Sequence, residues 1–271
     1  MVWKVFDQEF KNVVDMNAHK NGILDIWWSL DSAKMYSCSA DKTVAVWDLI
    51  EGKRIKKYKD HEGIVNSVQA PKRGEQMFVT TSDDWTVRLF DERIKQAAST
   101  VKLTYQATTA TFSDTNDYIF YGGIDNQIKA WNLKSDESNE FNLLGHTDTI
   151  TGVSLSHNGK FLLSNSMDKS VKMWDISPFV VGGNRWLKSF YGIMHNFEKN
   201  LLRWAWNKDD TIVSAGSSDN FVYLWNVETW EIHEKLGGHH GSVNETAFHP
   251  EFNIVASGSS DKTIFVGEFE K

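Results

Sequence analysis

An Asp residue recurs along this chain at almost constant intervals, and this repeat limits the possible folds more than any other feature of the sequence. The six positions are Asp41, Asp84, Asp125, Asp168, Asp219 and Asp261. Their spacings of 43, 41, 43, 51 and 42 residues match a unit of four short strands and exceed the tetratricopeptide and ankyrin repeats. Six residues after each Asp a β-branched or aromatic run ends, in four repeats at a Trp. The chain is therefore an array of one repeated unit.

The first repeat illustrates the content of one unit. Its four runs of strand-forming residues are 23–28, 35–39, 43–47 and 54–58. Turn-forming residues such as Asp31, Asp41 and Gly52 separate them, which predicts an antiparallel meander. A single meander is only marginally stable in water, so the units are expected to stack radially and to share an apolar core. The predicted fold class is an all-β propeller, with residues 1–271 forming a single domain.

Polar residues at fixed positions predict a hydrogen-bonded network inside each unit. A Ser lies two residues before the Asp in five repeats, and a His lies 22 or 23 residues before it in four. We predict that the Trp indole donates to this Ser, the Ser to the His and the His to the Asp. Two such networks comprise His19, Ser39, Asp41 and Trp47, and His146, Ser166, Asp168 and Trp174. Phe90 and Gly267 offer no indole donor, so the network is expected to be broken in their repeats.

This pattern, which includes Gly145-His146 and Trp174-Asp175, resembles the WD-repeat family over nearly the whole chain. The repeated hydroxyls argue against catalysis, because a hydrolase needs one activated Ser in a pocket rather than equivalent Ser residues inside several sheets. No His-x-x-x-His or Cys-x-x-Cys pair supports a metal site, and no Gly-rich phosphate-binding loop is present. We therefore expect no enzymatic activity, cofactor, metal or small-molecule substrate.

The composition fits an all-β protein that works in water. Aromatic residues make up 13% of the chain, only 3 residues are Pro, and no apolar run approaches the length of a membrane span. With 29 Lys and Arg against 36 Asp and Glu, the net charge of −7 argues against a broad nucleic-acid-binding surface, so any RNA contact is expected to be indirect or minor. Cys38 is the sole Cys, which fits a reducing compartment.

One stretch departs from this acidic balance. Residues 53–59 read Lys-Arg-Ile-Lys-Lys-Tyr-Lys and carry five positive charges. Such a stretch could meet an acidic protein surface or a nucleic-acid backbone. A solvated outer strand is the preferred interpretation, because exposed Lys residues commonly prevent strands from pairing edge to edge.

The two ends of the array leave the number of blades open. The last repeat has predicted strands at 243–248, 253–257 and 263–267 but no fourth strand. Residues 11–16 could supply it and close a six-bladed ring. Alternatively, residues 2–7 resemble a third strand, with Phe6-Asp7 in the place of Trp-Asp, and residues 1–16 then form a partial blade. We favour the second interpretation, a seven-bladed type with an incomplete first blade.

Several segments carry a narrower resemblance than the shared repeat. They are residues 41–48, 122–126, 162–165, 174–175 and 195–203, and the similarity runs from about Val2 to Glu268. These segments resemble the WD-repeat subunits of the spliceosomal U5 small nuclear ribonucleoprotein (U5 snRNP). The resemblance implies a nuclear, non-catalytic scaffold in pre-mRNA splicing that binds the large U5 scaffold protein, its helicase partner and other spliceosomal proteins. A generic adaptor, such as a ubiquitin-ligase substrate receptor, is the alternative.

Candidate partner-binding residues are expected at one end of the blades, where the loops entering the first strands meet the turns between the second and third strands. They are Lys42, Trp85, Asn126, Lys169, Phe197, Lys199, Asn220 and Lys262. Trp85 is the strongest candidate, because an exposed Trp offers a large contact area at a low entropic cost. Its ring could instead pack locally on an adjacent blade. Phe197 and Lys199 belong to the irregular fifth repeat, where a long insertion also favours function.

Overall fold

The computed structural model describes residues 2–4, 11–14, 16–17, 19–74, 76–135, 141–180, 183–196 and 200–270. The chain divides into two compact units, residues 1–112 and 113–271. In the described residues the regular structure consists of β-strands, and no helix there is long and apolar enough to cross a membrane. The boundary between the units falls inside the third repeat. Whether the whole chain is one domain stays a prediction.

The first unit contains two complete four-stranded blades. Its strands are β1 (Val2–Lys4), β2 (Lys11–Val14), β3 (Ile23–Trp28), β4 (Lys34–Ser39), β5 (Val44–Asp48), β6 (Lys53–Tyr58), β7 (Val65–Gln69), β8 (Met77–Ser82), β9 (Thr86–Asp91), β10 (Ala97–Lys102) and β11 (Ala107–Phe112). The blade sheets have the orders β3-β4-β5-β6 and β7-β8-β9-β10, while β1 and β2 pair with each other. All these pairings are antiparallel. This is the meander that the turn residues predict.

The second unit continues the array. Its strands are β12 (Tyr118–Gly123), β13 (Ile128–Asn132), β14 (Asn142–Leu143), β15 (Ile150–Leu155), β16 (Phe161–Ser166), β17 (Ser170–Asp175), β18 (Trp186–Tyr191), β19 (Trp204–Trp206), β20 (Ile212–Gly216), β21 (Val222–Asn226), β22 (Ile232–Leu236), β23 (Val243–Phe248), β24 (Ile254–Ser259) and β25 (Ile264–Glu268). The sheets β15-β16-β17-β18 and β19-β20-β21-β22 have four strands, and β23-β24-β25 has three. Strand β13 pairs with β12 on one side and β14 on the other.

The core of the first unit lies between its two blades, because the middle strands of each blade are buried on both faces. Tyr36 and Val44 from the first blade pack with Val68, Phe78 and other residues of the second. The rings of Phe78 and Phe90 stack at 4.9 Å, and Tyr58 meets Phe90 edge-on at the same distance. Aromatic pairs of this geometry add stability beyond their buried area.

The second unit repeats this packing at each pair of neighbouring sheets. Its hydrophobic clusters join the third repeat to the fourth, the fourth to the fifth and the fifth to the sixth. The approach of the fifth and sixth sheets depends on Gly216, because a Cβ there would lie 2.2 Å from the carbonyl oxygen of Val243. Only Gly permits such a close approach of two backbones.

The described residues form six blades, one for each repeat, so the seven-bladed prediction was wrong and the six-bladed alternative has the correct number. The reason is that β1 and β2 form only a two-stranded sheet. The Phe6-Asp7 pair on which the seventh blade rested lies outside the described residues. Residues 11–14 pair with β1 instead of completing the last sheet, which has three strands in the described part of the chain. Closure into a ring stays a prediction.

Candidate partner-binding surface

The same tight turn joins the second and third strands of each blade. Its last residue has a positive φ in every repeat, between 64° and 72°: Lys42, Trp85, Asn126, Lys169, Asn220 and Lys262. In the first repeat the N–H of Lys42 donates to the Ser39 carbonyl at 3.1 Å, and the N–H of Ser39 donates to the Thr43 carbonyl at 3.2 Å. This is a three-residue hairpin loop in which a turn is followed by a left-handed residue. Six of the eight predicted partner-binding residues therefore occupy one equivalent position.

Side chains next to the turn hold it in this shape. The Asp41 carboxylate accepts from the N–H of Thr43 at 3.1 Å, and the Ser39 hydroxyl accepts from the N–H of Asp41 at 3.0 Å. In the fourth repeat Asp168 and Ser166 make the equivalent bonds, at 2.9 and 3.1 Å. Asp and Ser commonly close turns in this way because their short side chains reach the backbone two residues on.

The Trp-to-Asp network exists, but a different Ser lies at its centre. The Trp47 indole donates to Ser37 at 2.8 Å, and His19 contacts Ser37 at 2.8 Å and Asp41 at 3.2 Å. The fourth repeat has the equivalent set: Trp174 to Ser164 at 2.8 Å, His146 to Ser164 at 2.7 Å and His146 to Asp168 at 2.8 Å. The prediction of Ser39 and Ser166 as the central hydroxyls was wrong.

Strand register explains this correction. Trp47 pairs with Met35 across the sheet, so Ser37, two residues further along β4, lies diagonally opposite on the same face. Ser39 lies at the end of the strand, and its hydroxyl donates to the Gly22 carbonyl at 2.9 Å. Ser166 likewise donates to the Asp148 carbonyl at 2.8 Å. These two Ser residues bind the turn and the entering loop, and they do not bind the indole.

The groups at the two ends of the network fix the direction of their hydrogen bonds. An indole N–H can only donate, so the Ser164 oxygen accepts from Trp174, and the same oxygen also bonds to Nε2 of His146. The ionised Asp168 carboxylate can only accept, so Nδ1 of His146 carries a proton and donates to it. The network thus consists of donors and acceptors that match along its whole length.

The second and sixth repeats keep the network without a Trp. His61 contacts Thr80 at 2.7 Å and Asp84 at 2.8 Å, and His239 contacts Ser257 at 2.9 Å and Asp261 at 3.2 Å. The expectation that Phe90 and Gly267 break the network was therefore correct only for the indole bond. The bonds among His, hydroxyl and Asp do not need the indole.

The third and fifth repeats hold the turn Asp by other means. Asp125 forms an ion pair with Lys129 at 2.8 Å. Asp219 accepts from the Tyr223 hydroxyl at 2.6 Å and pairs with Lys235 at 3.2 Å. Among the described residues the imidazole of His195 makes no hydrogen bond to Asp219, and burial lowers the pKa of this imidazole. His195 therefore does not replace the network His in the fifth repeat.

A sequence signal for the correct hydroxyl existed. A residue with a hydroxyl group lies four residues before the Asp in each of the four repeats that also have the network His: Ser37, Thr80, Ser164 and Ser257. The other two repeats have Tyr121 and Ala215 there. A hydroxyl two residues after the Asp follows the same division, at Thr43, Thr86, Ser170 and Thr263. The Ser two residues before the Asp occurs in five repeats, including one without the network His, so its recurrence does not identify the central hydroxyl.

The turn Asp also binds the loop that enters the first strand of its blade. Backbone N–H groups of Lys20, Glu62, Thr147 and His240 donate to Asp41, Asp84, Asp168 and Asp261 at 2.8–3.1 Å. Burial opposes ionisation of Asp168, yet hydrogen bonds from His146 and Ser170 outweigh it and hold the pKa of this carboxyl well below its usual range. In each of these four blades the loop and the turn thus form one rigid end.

Trp85 is the most unusual residue at these ends. Its side chain is 54% exposed, and it is bulky for a left-handed position. Lys42, Lys169 and Lys262 are exposed as well, and Asn126 and Asn220 are half-buried. Within the first unit Lys42 and Trp85 lie at equivalent ends of packed blades, and the other four positions do so within the second unit. Phe197 and Lys199 lie outside the described residues.

These observations define the class of protein as a WD-repeat β-propeller. The described residues contain no group of three or more His, Cys, Asp or Glu side chains placed to hold a metal ion. The family model described as "WD domain, G-beta repeat" matches residues 10–48, 52–91, 138–175, 193–226 and 230–266.

Two relatives are similar over almost the whole chain. The U5 small nuclear ribonucleoprotein 40 kDa protein of Dictyostelium discoideum is 42% identical over 99% of this chain and 75% of its own length. The pre-mRNA-splicing factor cwf17 of Schizosaccharomyces pombe is 40% identical over 99% of this chain and 78% of its own length. The human U5 40 kDa protein is 44% identical over 81% of this chain and 61% of its own length. The chain belongs to the WD-repeat family and, within it, to the family of U5 small nuclear ribonucleoprotein 40 kDa proteins.

Proposed function

We propose that this protein is a scaffold subunit of the U5 snRNP in pre-mRNA splicing. The observation that carries the proposal is the similarity, over 99% of the chain, to two relatives named as a U5 snRNP protein and a pre-mRNA-splicing factor. The protein acts by binding other spliceosomal proteins and works in the nucleus. It has no catalytic step of its own.

The hydrogen-bonded ends of the blades support a scaffold role. His, Asp and hydroxyl side chains that could serve catalysis are occupied in holding loops to turns, as in the set of His146, Ser164 and Asp168. A rigid end of this kind presents exposed side chains without a large entropic cost on binding. Large exposed groups at such positions are therefore suited to protein contacts.

We place the contact with the large U5 scaffold protein and its helicase partner at the turn positions, with Trp85 as the anchor. Among the six turn residues it is the one aromatic side chain, and its exposed fraction of 54% leaves a large apolar area to bury. Trp is enriched among the residues that dominate binding energies at protein interfaces. The remaining turn residues are Lys and Asn, which suit a polar rim.

A pull-down from nuclear extract tests this function. The tagged protein and its Trp85→Ala variant are compared for recovery of U5 RNA and the large U5 protein. We expect the wild type to recover both and the variant to recover several-fold less, with little change in the unfolding midpoint, because Trp85 is 54% exposed. Binding energy lost with an interface Trp is typically about 2 kcal/mol or more.

A matched control distinguishes loss of a partner contact from the general effect of removing an exposed Trp. Trp186 on β18 is 46% exposed and lies away from the turns, so Trp186→Ala should leave recovery unchanged. A large fall in midpoint with unchanged recovery for Trp85→Ala would show that the ring packs locally. Folded wild type that recovers neither U5 component, but another complex, would favour the generic adaptor, for example a ubiquitin-ligase substrate receptor.

A further inference from the structure

A basic cavity lies in the first unit, and one side of it reaches the turn between β4 and β5. It has a volume of about 440 Å³ and is lined by Lys56, Lys57, Lys59, Asp60 and Lys95. Three of the lysines belong to the basic stretch 53–59, whereas Lys95 follows β9 in the next repeat. Folding therefore brings a fourth ammonium group to the three from the basic stretch. The sequence alone predicts only a solvated strand there.

Two of these lysines are held in place by the protein. The Lys56 ammonium group donates to the carbonyl oxygens of Glu92, at 2.9 Å, and Ile94, and it lies 5.0 Å from the centre of the Tyr58 ring. The Lys57 ammonium group lies 3.4 Å from Asp41. Backbone carbonyls orient the Lys56 charge without cancelling it, so it still attracts anions.

The other two lysines are available for a ligand. Lys59 and Lys95 are exposed, and among the described residues neither makes an ion pair. The carboxylates of the neighbouring β9–β10 turn are already engaged, Glu92 by Lys34 and Tyr36 and Asp91 by Arg93. Asp60 is the one acidic residue in the cavity wall. The cavity consequently keeps a strong positive balance in a chain whose net charge is −7.

Its surroundings fit an extended peptide better than RNA. Strand β6 is the edge strand of its sheet, and such an edge can pair with an added strand. Ile55 and Ile94, which precede the lining residues Lys56 and Lys95 in the sequence, are 52% and 43% exposed and offer apolar contacts that a phosphate backbone would not use. Single-stranded RNA is usually held by exposed aromatic rings as well as charge, and the cavity wall has none.

We propose that this cavity and the edge of β6 bind an extended acidic segment of a partner protein that also carries aliphatic side chains. The acidic groups meet Lys59 and Lys95, and the aliphatic groups cover Ile55 and Ile94. The lysines exclude uncharged strands that would otherwise aggregate on this edge and select an acidic one. The site adjoins the turn of the first blade, and the proposal does not depend on the proposed splicing function.

Fluorescence anisotropy tests this site on the purified full chain. The probe is a short labelled peptide of alternating Glu and Val, and the comparison probes are a peptide of alternating Lys and Val and a labelled oligouridylate. We expect the acidic peptide to bind, with an affinity that falls as salt is added. The double variant Lys59→Glu/Lys95→Glu should weaken it about tenfold or more, which corresponds to about 1.4 kcal/mol.

A charge-matched control makes the result specific. Lys160 and Lys208 are exposed and belong to the second unit, so Lys160→Glu/Lys208→Glu changes the net charge equally and should leave binding of the acidic peptide at the wild-type level. Equal weakening by both double variants would overturn the site, as would no binding of the acidic peptide to the folded wild type. If oligouridylate bound more tightly than the acidic peptide and this binding were lost in the Lys59→Glu/Lys95→Glu variant, the ligand of the site would be RNA and the peptide proposal would be wrong.

Discussion

Ser164 is the residue on which the fourth blade's network depends, because two partners use its single hydroxyl. Replacing it by Ala leaves the buried indole N–H of Trp174 and Nε2 of His146 without partners. Each orphaned group costs about 1–3 kcal/mol. We expect Ser164→Ala to lower the free energy of unfolding by about 2–3 kcal/mol, measured by urea denaturation.

The control is Ser154→Ala in the same sheet. Ser154 lies on β15, is half-buried and makes no side-chain bond in the described part of the chain, so the change should cost less than about 0.5 kcal/mol. Similar losses for both variants would contradict the central role of Ser164. The fifth repeat provides a natural comparison, because Ala215 occupies the equivalent position and the Trp225 indole donates to the Tyr191 carbonyl at 3.3 Å instead.

At the scale of the structural element, the turn between the second and third strands contains a strained residue. Lys169 has a φ of 66°, a conformation in which a side chain costs about 1–2 kcal/mol and Gly costs little. We expect Lys169→Gly to raise the free energy of unfolding by up to about 1 kcal/mol, since added chain entropy in the unfolded state offsets part of the gain. Chemical denaturation measures the change.

A second Lys to Gly change distinguishes relief of strain from loss of the side chain. Lys160 is exposed and has an ordinary negative φ, so Lys160→Gly should lower stability modestly through the greater entropy of the unfolded chain. If Lys169→Gly were as destabilising as Lys160→Gly, the turn would not be strained. Retention of Lys, Asn and Trp at positions that favour Gly is consistent with a binding role for these side chains.

At the scale of the whole molecule, the turn carboxylates make the free energy of unfolding depend on pH. Hydrogen bonds from His and hydroxyl groups outweigh burial and hold the pKa values of Asp41, Asp84 and Asp168 well below the ordinary value of 3.8. A carboxyl whose pKa is lower in the folded state stabilises that state above the unfolded pKa. This stabilisation is lost as pH falls from about 4 through the folded-state value.

We expect the urea midpoint of the wild type to fall steeply below about pH 4. Asp168→Asn should have a lower midpoint at pH 7 but a shallower fall with acid, because one of these carboxylates is gone. Ser164→Ala is the matched control, since it is also destabilised yet keeps Asp168. Parallel acid profiles for Asp168→Asn and the wild type would mean that Asp168 contributes no acid dependence.

The sequence determined the features that depend on local spacing. Six repeats, four-stranded meanders and the turn positions all follow from the recurring Asp, and the predicted strands of the first repeat lie within one residue of β3, β4, β5 and β6. The equivalence of Lys42 and Trp85 also followed from spacing alone. Strand periodicity and turn chemistry are properties of neighbouring residues, so a sequence can specify them.

The tertiary structure decided which groups meet across strands and blades. It placed Ser37 rather than Ser39 under Trp47, paired β1 with β2 instead of completing a further blade, and brought Lys95 to the cavity beside Lys59. These outcomes depend on register and on the packing of one sheet against the next. A shift of two residues along a strand keeps a side chain on the same face but changes its partner, and the sequence pattern does not distinguish the two.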